Sequence, residues 1–209
     1  MYSTTLNELC SVIIGYRPKS GSGGSGDDLG IAISDLDQDR LHVYAFPPPA
    51  SSLLCLVDLQ PLDADTRKSD YYLREIVFLF LSRGQRRIAV PIVKEYAQPW
   101  PPDFDRTIVL YYFFILRLTS ERILPEYLAW AINEGPLKPA IDTIAEGTVV
   151  QKVSVREFRE LAVDVPPLEV QHNLVKLYEL SVREQRLHER LAARRRELAT
   201  AMCRRLLKK

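Results

Sequence analysis

Cysteine is scarce in this 209-residue sequence, and Cys10, Cys55 and Cys203 stand too far apart to form a CxxC pair. An odd, dispersed set of thiols excludes a disulfide framework and points to a reducing compartment. Histidine is equally sparse. His42, His172 and His188 have no carboxylate or cysteine at ligand spacing, so no metal site is expected from them. The turns Asp27-Asp28 and Asp35/Asp37/Asp39 lack the glycine that a calcium loop needs at its bend, and read as ordinary surface turns. No nucleophile elbow, phosphate-binding glycine loop or GxGxxG opening a helix occurs. These absences remove the common enzyme chemistries, and the expectation is a non-catalytic chain without a metal or cofactor of its own. A long hydrophobic run is missing too. The most apolar stretch, residues 108–118, is far shorter than the roughly 20 residues that a spanning helix needs. The N-terminus carries no basic-then-apolar signal pattern. The expected location is the cytoplasm, with no membrane contact.

Excess charge of one sign is absent overall, with 28 Lys+Arg against 27 Asp+Glu. That balance excludes a uniformly basic coat protein, but it conceals an asymmetry. Residues 183–209 hold ten Lys/Arg and three Glu, a net of +7, which leaves a net of −6 on the rest. A mildly acidic body followed by a basic tail suggests an electrostatic partner, nucleic acid first among them. With 46% hydrophobic and 26% charged residues the chain as a whole is an ordinary globular one.

What is present divides at residue 164. Residues 165–209 read as one long helix: Pro166-Pro167 mark its start, Glu169 suits the positive end of the helix dipole, and no Gly or Pro follows Leu168. A heptad frame places Val170, Leu177, Glu184, Leu191, Leu198 and Arg205 at a, and Asn173, Leu180, Leu187, Arg194 and Ala201 at d. The seam Leu177, Leu180, Leu187, Leu191, Leu198 is apolar in the middle and interrupted by Glu184 and Arg194, which fits a short antiparallel or heteromeric coiled coil. Residues 1–164 read as mixed α and β. A short helix is expected over 6–14, ending at Gly15, and strands over 29–34, 41–46, 75–81 and 87–93. A single buried strand is expected over 108–118, and a helix over 125–134. The run SGSGGSG at 20–26 reads as a flexible loop or a linker.

Three segments occur in a telling order. The first is Tyr72-Leu73-Arg74-Glu75, then the strand Ile76-Val77-Phe78-Leu79-Phe80-Leu81, then Ser82-Arg83-Gly84. The second is Leu124-Pro125-Glu126-Tyr127-Leu128-Ala129-Trp130-Ala131-Ile132. The third is Gly147-Thr148-Val149-Val150-Gln151-Lys152-Val153-Ser154, then Phe158 and Leu161, then Val165-Pro166-Pro167-Leu168-Glu169-Val170-Gln171. Together they resemble the target-recognition domain of the specificity subunit of Type I restriction–modification systems, over roughly residues 70–185. Arg74-Glu75 stand where that family usually has a Gly-Asp turn. A full-length specificity subunit carries two such domains separated by antiparallel helices, so this chain resembles a half subunit.

The resemblance implies an α+β fold, with a curled, irregular sheet and flanking helices in a recognition domain (1–164), followed by a coiled-coil helix (165–209). It implies sequence-specific recognition of double-stranded DNA without catalysis, in a methylation-based defence complex. A separate adenine methyltransferase subunit would bind S-adenosylmethionine, and a restriction or translocase subunit could accompany it. The helix would serve dimerisation or methyltransferase docking. A homodimer is expected, with Glu184 of one copy near Arg194 of the other. Alternative readings are a scaffold that no longer reads DNA and a stand-alone transcription factor, although no helix-turn-helix spacing is present.

Base reading needs forked donors at base edges backed by phosphate contacts. Ser82, Arg83, Gln85, Arg86 and Arg87 concentrate such donors around Gly84 and form the first candidate cluster. Thr148, Gln151 and Lys152 form the second, and Arg17 with Lys19 beside the glycine loop the third.

Overall fold

The structure is a computed structural model that describes residues 2–17, 28–31, 60–62, 69–72, 77–83, 87–92, 107–147 and 151–206. It has mixed helix and strand with flanking helices and a long C-terminal helix, the architecture expected from the sequence. The central sheet has four antiparallel strands in the order β2 (Cys10–Ile14), β8 (Phe113–Leu118), β5 (Val77–Leu81), β6 (Ala89–Ile92). Beside it lies a mixed sheet in which β3 (Asp28–Ile31) runs antiparallel to β4 (Gln60–Leu62) and parallel to β7 (Thr107–Val109). Two short ladders complete the set among the described residues: β1 (Tyr2–Thr5) with β11 (Ala162–Val165), and β9 (Ala145–Glu146) with β10 (Lys152–Val153).

Strands β5 and β8 read VFLFL and FFILRL, without the polar alternation of a half-exposed strand. They are covered on both faces, which is what such runs require. Phe78, Phe80, Phe114 and Leu116 enter the main core, while Leu79, Leu81, Phe113 and Ile115 are buried outside it. Phe158, on the short helix α4 (Val155–Arg159), stacks on Phe80 with centroids 4.5 Å apart and meets Phe114 at 5.4 Å. Helix α2 (Pro125–Asn133) begins with proline at its first turn and packs Tyr127, Leu128, Ala131 and Ile132 inward. Its last residue, buried Asn133, accepts the Ala89 N–H at 2.7 Å and donates to the Ala89 carbonyl at 2.8 Å. The carboxamide thus acts as one more strand residue against β6, and the helix covers that edge. Helix α3 (Leu137–Thr143) follows, and Gly147 after β9 has φ 113°, a conformation that favours glycine.

Two expectations are corrected. Residues 6–14 are not one helix: α1 (Leu6–Leu9) is a single turn, and the chain then extends as β2. Leu6 and Leu9 share the buried side of that turn, but Val12-Ile13-Ile14 pair in register with β8 from Leu116 to Phe114. Residues 108–118 are not one strand either. The chain turns at Leu110–Tyr112, between β7 and β8. There the end of β2 enters. The Tyr16 N–H donates to the Val109 carbonyl at 2.8 Å, the Tyr111 N–H to the Tyr16 carbonyl at 2.9 Å, and the Gly15 N–H to the Phe113 carbonyl at 3.0 Å. A β-carbon on Gly15 would lie 2.2 Å from the Leu110 carbonyl oxygen, so only glycine permits this approach. The strands expected at 41–46 and the aspartate turn at 35–39 lie outside the described residues.

Helix α5 (Leu168–Leu206) is 39 residues long, about 58 Å at 1.5 Å per residue. Its start is fixed by Gln171, which is wholly buried. The Gln171 carboxamide accepts the Leu124 N–H at 2.8 Å and donates to the carbonyls of Arg122 at 2.9 Å and Pro166 at 2.7 Å. Leu174, Val175 and Tyr178 pack on the core next. Val182 and Arg186 on the same helix are still partly covered, and from Leu187 on every described residue is exposed.

Candidate nucleic-acid interface

The end of the central sheet where β5 finishes is built around the turn Tyr111-Tyr112. Ser82, the residue after β5, is buried and donates both its N–H (3.0 Å) and its hydroxyl (2.8 Å) to the Tyr112 carbonyl. On its other side the Ser82 carbonyl accepts the Val153 N–H at 2.9 Å, and Arg83 forms an antiparallel bridge with Lys152. The Ser82-Arg83 step is therefore held between the tyrosine turn and β10. Two guanidinium groups lie against one ring, with Arg83 Cζ 4.9 Å and Arg17 Cζ 5.7 Å from the Tyr111 centroid. The Tyr111 and Tyr112 rings are 4.2 Å apart and their hydroxyls hydrogen-bond at 2.8 Å. That bond to Tyr111, with partial desolvation, raises the Tyr112 phenol above its ordinary range, while Arg83 acts in the opposite direction.

Arg17 and Arg83, from two of the clusters read in the sequence, thus meet at the Tyr111 ring, and Lys152, from the third, pairs with Arg83 through the backbone. Among the described residues no carboxylate pairs with any of them. Two guanidinium groups beside an aromatic pair, without a carboxylate partner among the described residues, suit a ligand that offers anionic oxygens and a flat acceptor edge. Arg87 and Gln151 are placed differently. Arg87 donates to Asp142 Oδ1 from Nε at 2.9 Å and from Nη2 at 2.7 Å, and its Nη1 donates to Gln151 Oε1 at 2.5 Å. Both side chains join β6 to α3 and the β9–β10 segment. Ser82 anchors the turn with its hydroxyl. Gln85, Arg86, Thr148 and Lys19 lie outside the described residues.

Tyr111 and Tyr112 were not singled out in the sequence, where they sit inside an apolar run. The available signal was their hydroxyls: two adjacent phenols inside an expected buried strand both need polar partners or water.

The second surface is on α5. Leu177, Leu180, Leu187, Leu191 and Leu198 are all exposed, by 47 to 67%, and Met202 and Leu206, next to the seam positions 201 and 205, are exposed as well. Among the described residues no group of His, Cys, Asp and Glu could hold a metal ion, and no helix is long and apolar enough to cross a membrane.

No protein-family profile and no curated protein matches this sequence. Solved structures do. One, the S subunit of a Type I restriction–modification system from M. genitalium, aligns over 90% of this chain and 40% of its own, with TM-score 0.49 and 13% identity. The HsdS subunit from Thermoanaerobacter tengcongensis aligns over 88% of this chain and 37% of its own, with TM-score 0.48 and 14% identity. A chain from a structure of complex assembly in the type I R-M system aligns over 88% and 38%, with the same score and identity. This chain spans about two fifths of the length of each.

Proposed function

We propose that this chain is a non-catalytic DNA sequence-recognition subunit that directs a separate methyltransferase to its target in a restriction or methylation-based defence complex. The observation that carries this reading is the convergence of Arg17 and Arg83 on the Tyr111 ring, with Lys152 bridged to Arg83 through the backbone and no paired carboxylate among the described residues, in a chain whose residues 1–182 carry a net charge of −6. An acidic body repels phosphate broadly, so a local cationic island is suited to a few directed contacts. Gln85, Arg86, Thr148 and Lys19 belong to the same proposed reading surface by their position in the chain. Ordered resemblance of the three sequence segments supports the same assignment. On this reading residues 1–164 form the recognition domain and residues 165–209 the assembly helix. S-adenosylmethionine, the methyl transfer and any cleavage belong to other subunits, and the complex acts on DNA in the cytoplasm.

We further infer that the leucine row of α5 is covered by a second copy of the chain, so that two recognition domains address the two halves of one target. Exposed leucines at heptad spacing favour this over a solvated helix. The deciding experiment pairs the purified chain with its methyltransferase and sequences the methylated products. A single recurring motif, absent when this chain is omitted, is the expected result. Methylation that proceeds unchanged without the chain overturns the proposal and leaves a scaffold that no longer reads DNA.

A further inference from the structure

Each of the two arginines at the candidate interface is tied to the tyrosine turn twice, once through backbone and once through side chain. Tyr16, which precedes Arg17, accepts the Tyr111 N–H at 2.9 Å; Ser82, which precedes Arg83, donates N–H and hydroxyl to the Tyr112 carbonyl. The guanidinium groups of both arginines then face the Tyr111 ring. An exposed arginine ordinarily spreads over many rotamers, and ordering it on binding costs affinity. Stacking on an aromatic ring restrains the guanidinium plane through its face and leaves its N–H edge available for two parallel hydrogen bonds. Nothing in this contact consumes a donor, unlike the arrangement at Arg87, whose donors are spent on Asp142 and Gln151.

Resting on the DNA-reading assignment above, we propose that Tyr111 is the positioning residue of the reader: it presents Arg83 to a two-acceptor edge and holds Arg17 beside it. The ligand chemistry is a pair of acceptors at guanidinium spacing, which either a guanine edge or a backbone phosphate supplies. The two sources separate in measurement. Loss of a base contact relaxes preference at one base-pair position, by roughly 10- to 100-fold for a bidentate pair. Loss of a phosphate contact weakens all sequences alike and lowers the salt dependence by about one charge.

The test uses the full chain with its methyltransferase subunit and a duplex pool randomised over the target, sequenced after selection, with salt-dependent binding of one fixed duplex alongside. Arg83→Ala and Tyr111→Leu are expected to produce the same defect, with the double variant no worse than either single. Tyr111→Phe, which keeps the ring, is expected to behave as wild type. A normal profile for Tyr111→Leu together with a defective Arg83→Ala overturns the positioning role and leaves the reading role standing. Arg83→Ala with both a normal sequence preference and an unchanged salt dependence overturns both. Should Tyr111→Leu fail to fold, the wild-type chain decides by NMR. An upfield ring-current shift of the Arg83 side-chain Nε–H signal is expected, reduced in no way by Tyr111→Phe. An unshifted signal overturns the proposal.

Discussion

Arg87 donates two hydrogen bonds to a single carboxylate oxygen of Asp142, which lies 55 residues further along the chain. The pair is partly open to solvent, with the arginine side chain 14% and the aspartate side chain 47% exposed, so screening limits its worth. Arg87→Ala is therefore expected to lower stability by only about 1 kcal/mol and to leave the methylated motif unchanged. Urea unfolding and product sequencing check the two halves of that statement. A relaxed motif in this variant would mean that Arg87 exchanges Asp142 for DNA on binding.

The contrast with Arg83 shows what the sequence could and could not disclose. Both arginines stand in one donor-rich segment and look alike by composition. What separates them is the carboxylate brought in by α3 and the ring brought in by the turn before β8, neither of which is local. The same holds for the fold. Strand β5, helix α2 and the start of α5 at Leu168 follow from local apolar content, proline placement and the absence of helix breakers. The turn at 110–112 depends on Gly15 and Tyr16 arriving from the N-terminal segment, and residues 108–118 carry no glycine or proline to announce it. Likewise, Leu6 and Leu9 set a helical spacing that a single turn satisfies before the β-branched residues take over.

Gln171 gives a sharper stability prediction. Its carboxamide is wholly buried and its partners are part-buried, so Gln171→Leu takes a hydrogen-bond partner from the Leu124 N–H and two carbonyls while keeping similar bulk. Each buried group left unsatisfied costs roughly 1–3 kcal/mol. A destabilisation of about 3 kcal/mol is expected, read from the shift in the urea midpoint. A change below about 0.5 kcal/mol would mean that water replaces the carboxamide.

Alkaline pH should weaken the fold. Burial pushes the Cys10 thiol from 9.0 up to about 12, and burial followed by Glu134 pushes the Tyr178 phenol to about 12. Both groups are neutral when protonated, and the folded chain keeps protons that the unfolded chain releases. Their contribution is therefore complete below about pH 9 and is lost as pH rises towards 12. For the buried Cys10 thiol the slope approaches about 1.4 kcal/mol per pH unit, and the Tyr178 phenol, which is more open to solvent, adds less. Urea unfolding between pH 8 and 11 is expected to show this decline, and Cys10→Ala to remove about one proton's share of it. Identical slopes in the two proteins would show that the thiol does not ionise in the unfolded chain over this range.

Pairing of α5 with a second copy makes the most specific prediction, because the heptad positions select one register. In an antiparallel pair with its two-fold axis beside Glu189, Leu187 faces Leu191, Leu180 faces Leu198, and Leu177 faces Ala201. The two residues that interrupt the seam, Glu184 and Arg194, then face one another, and the symmetry repeats that layer on the other side of the axis. Sliding by one heptad either way sets a charge against a leucine. Parallel pairing sets Glu184 against Glu184 and Arg194 against Arg194. The intrahelical bond from Arg194 to Glu197, 2.8 Å long on an exposed surface, is too weak to hold the arginine back. A dimer at tens of micromolar is expected from sedimentation, with a two-fold symmetric, interrupted methylation motif. Glu184→Arg should weaken it about 10-fold, since the repulsion occurs in two layers, and adding Arg194→Glu should restore it. Leu187→Asp with Leu191→Asp should leave monomers. If the charge-exchanged chain stays as weak as the single variant, the register is wrong; if the wild type is monomeric, the leucine row belongs to a helix of the methyltransferase in a one-to-one complex.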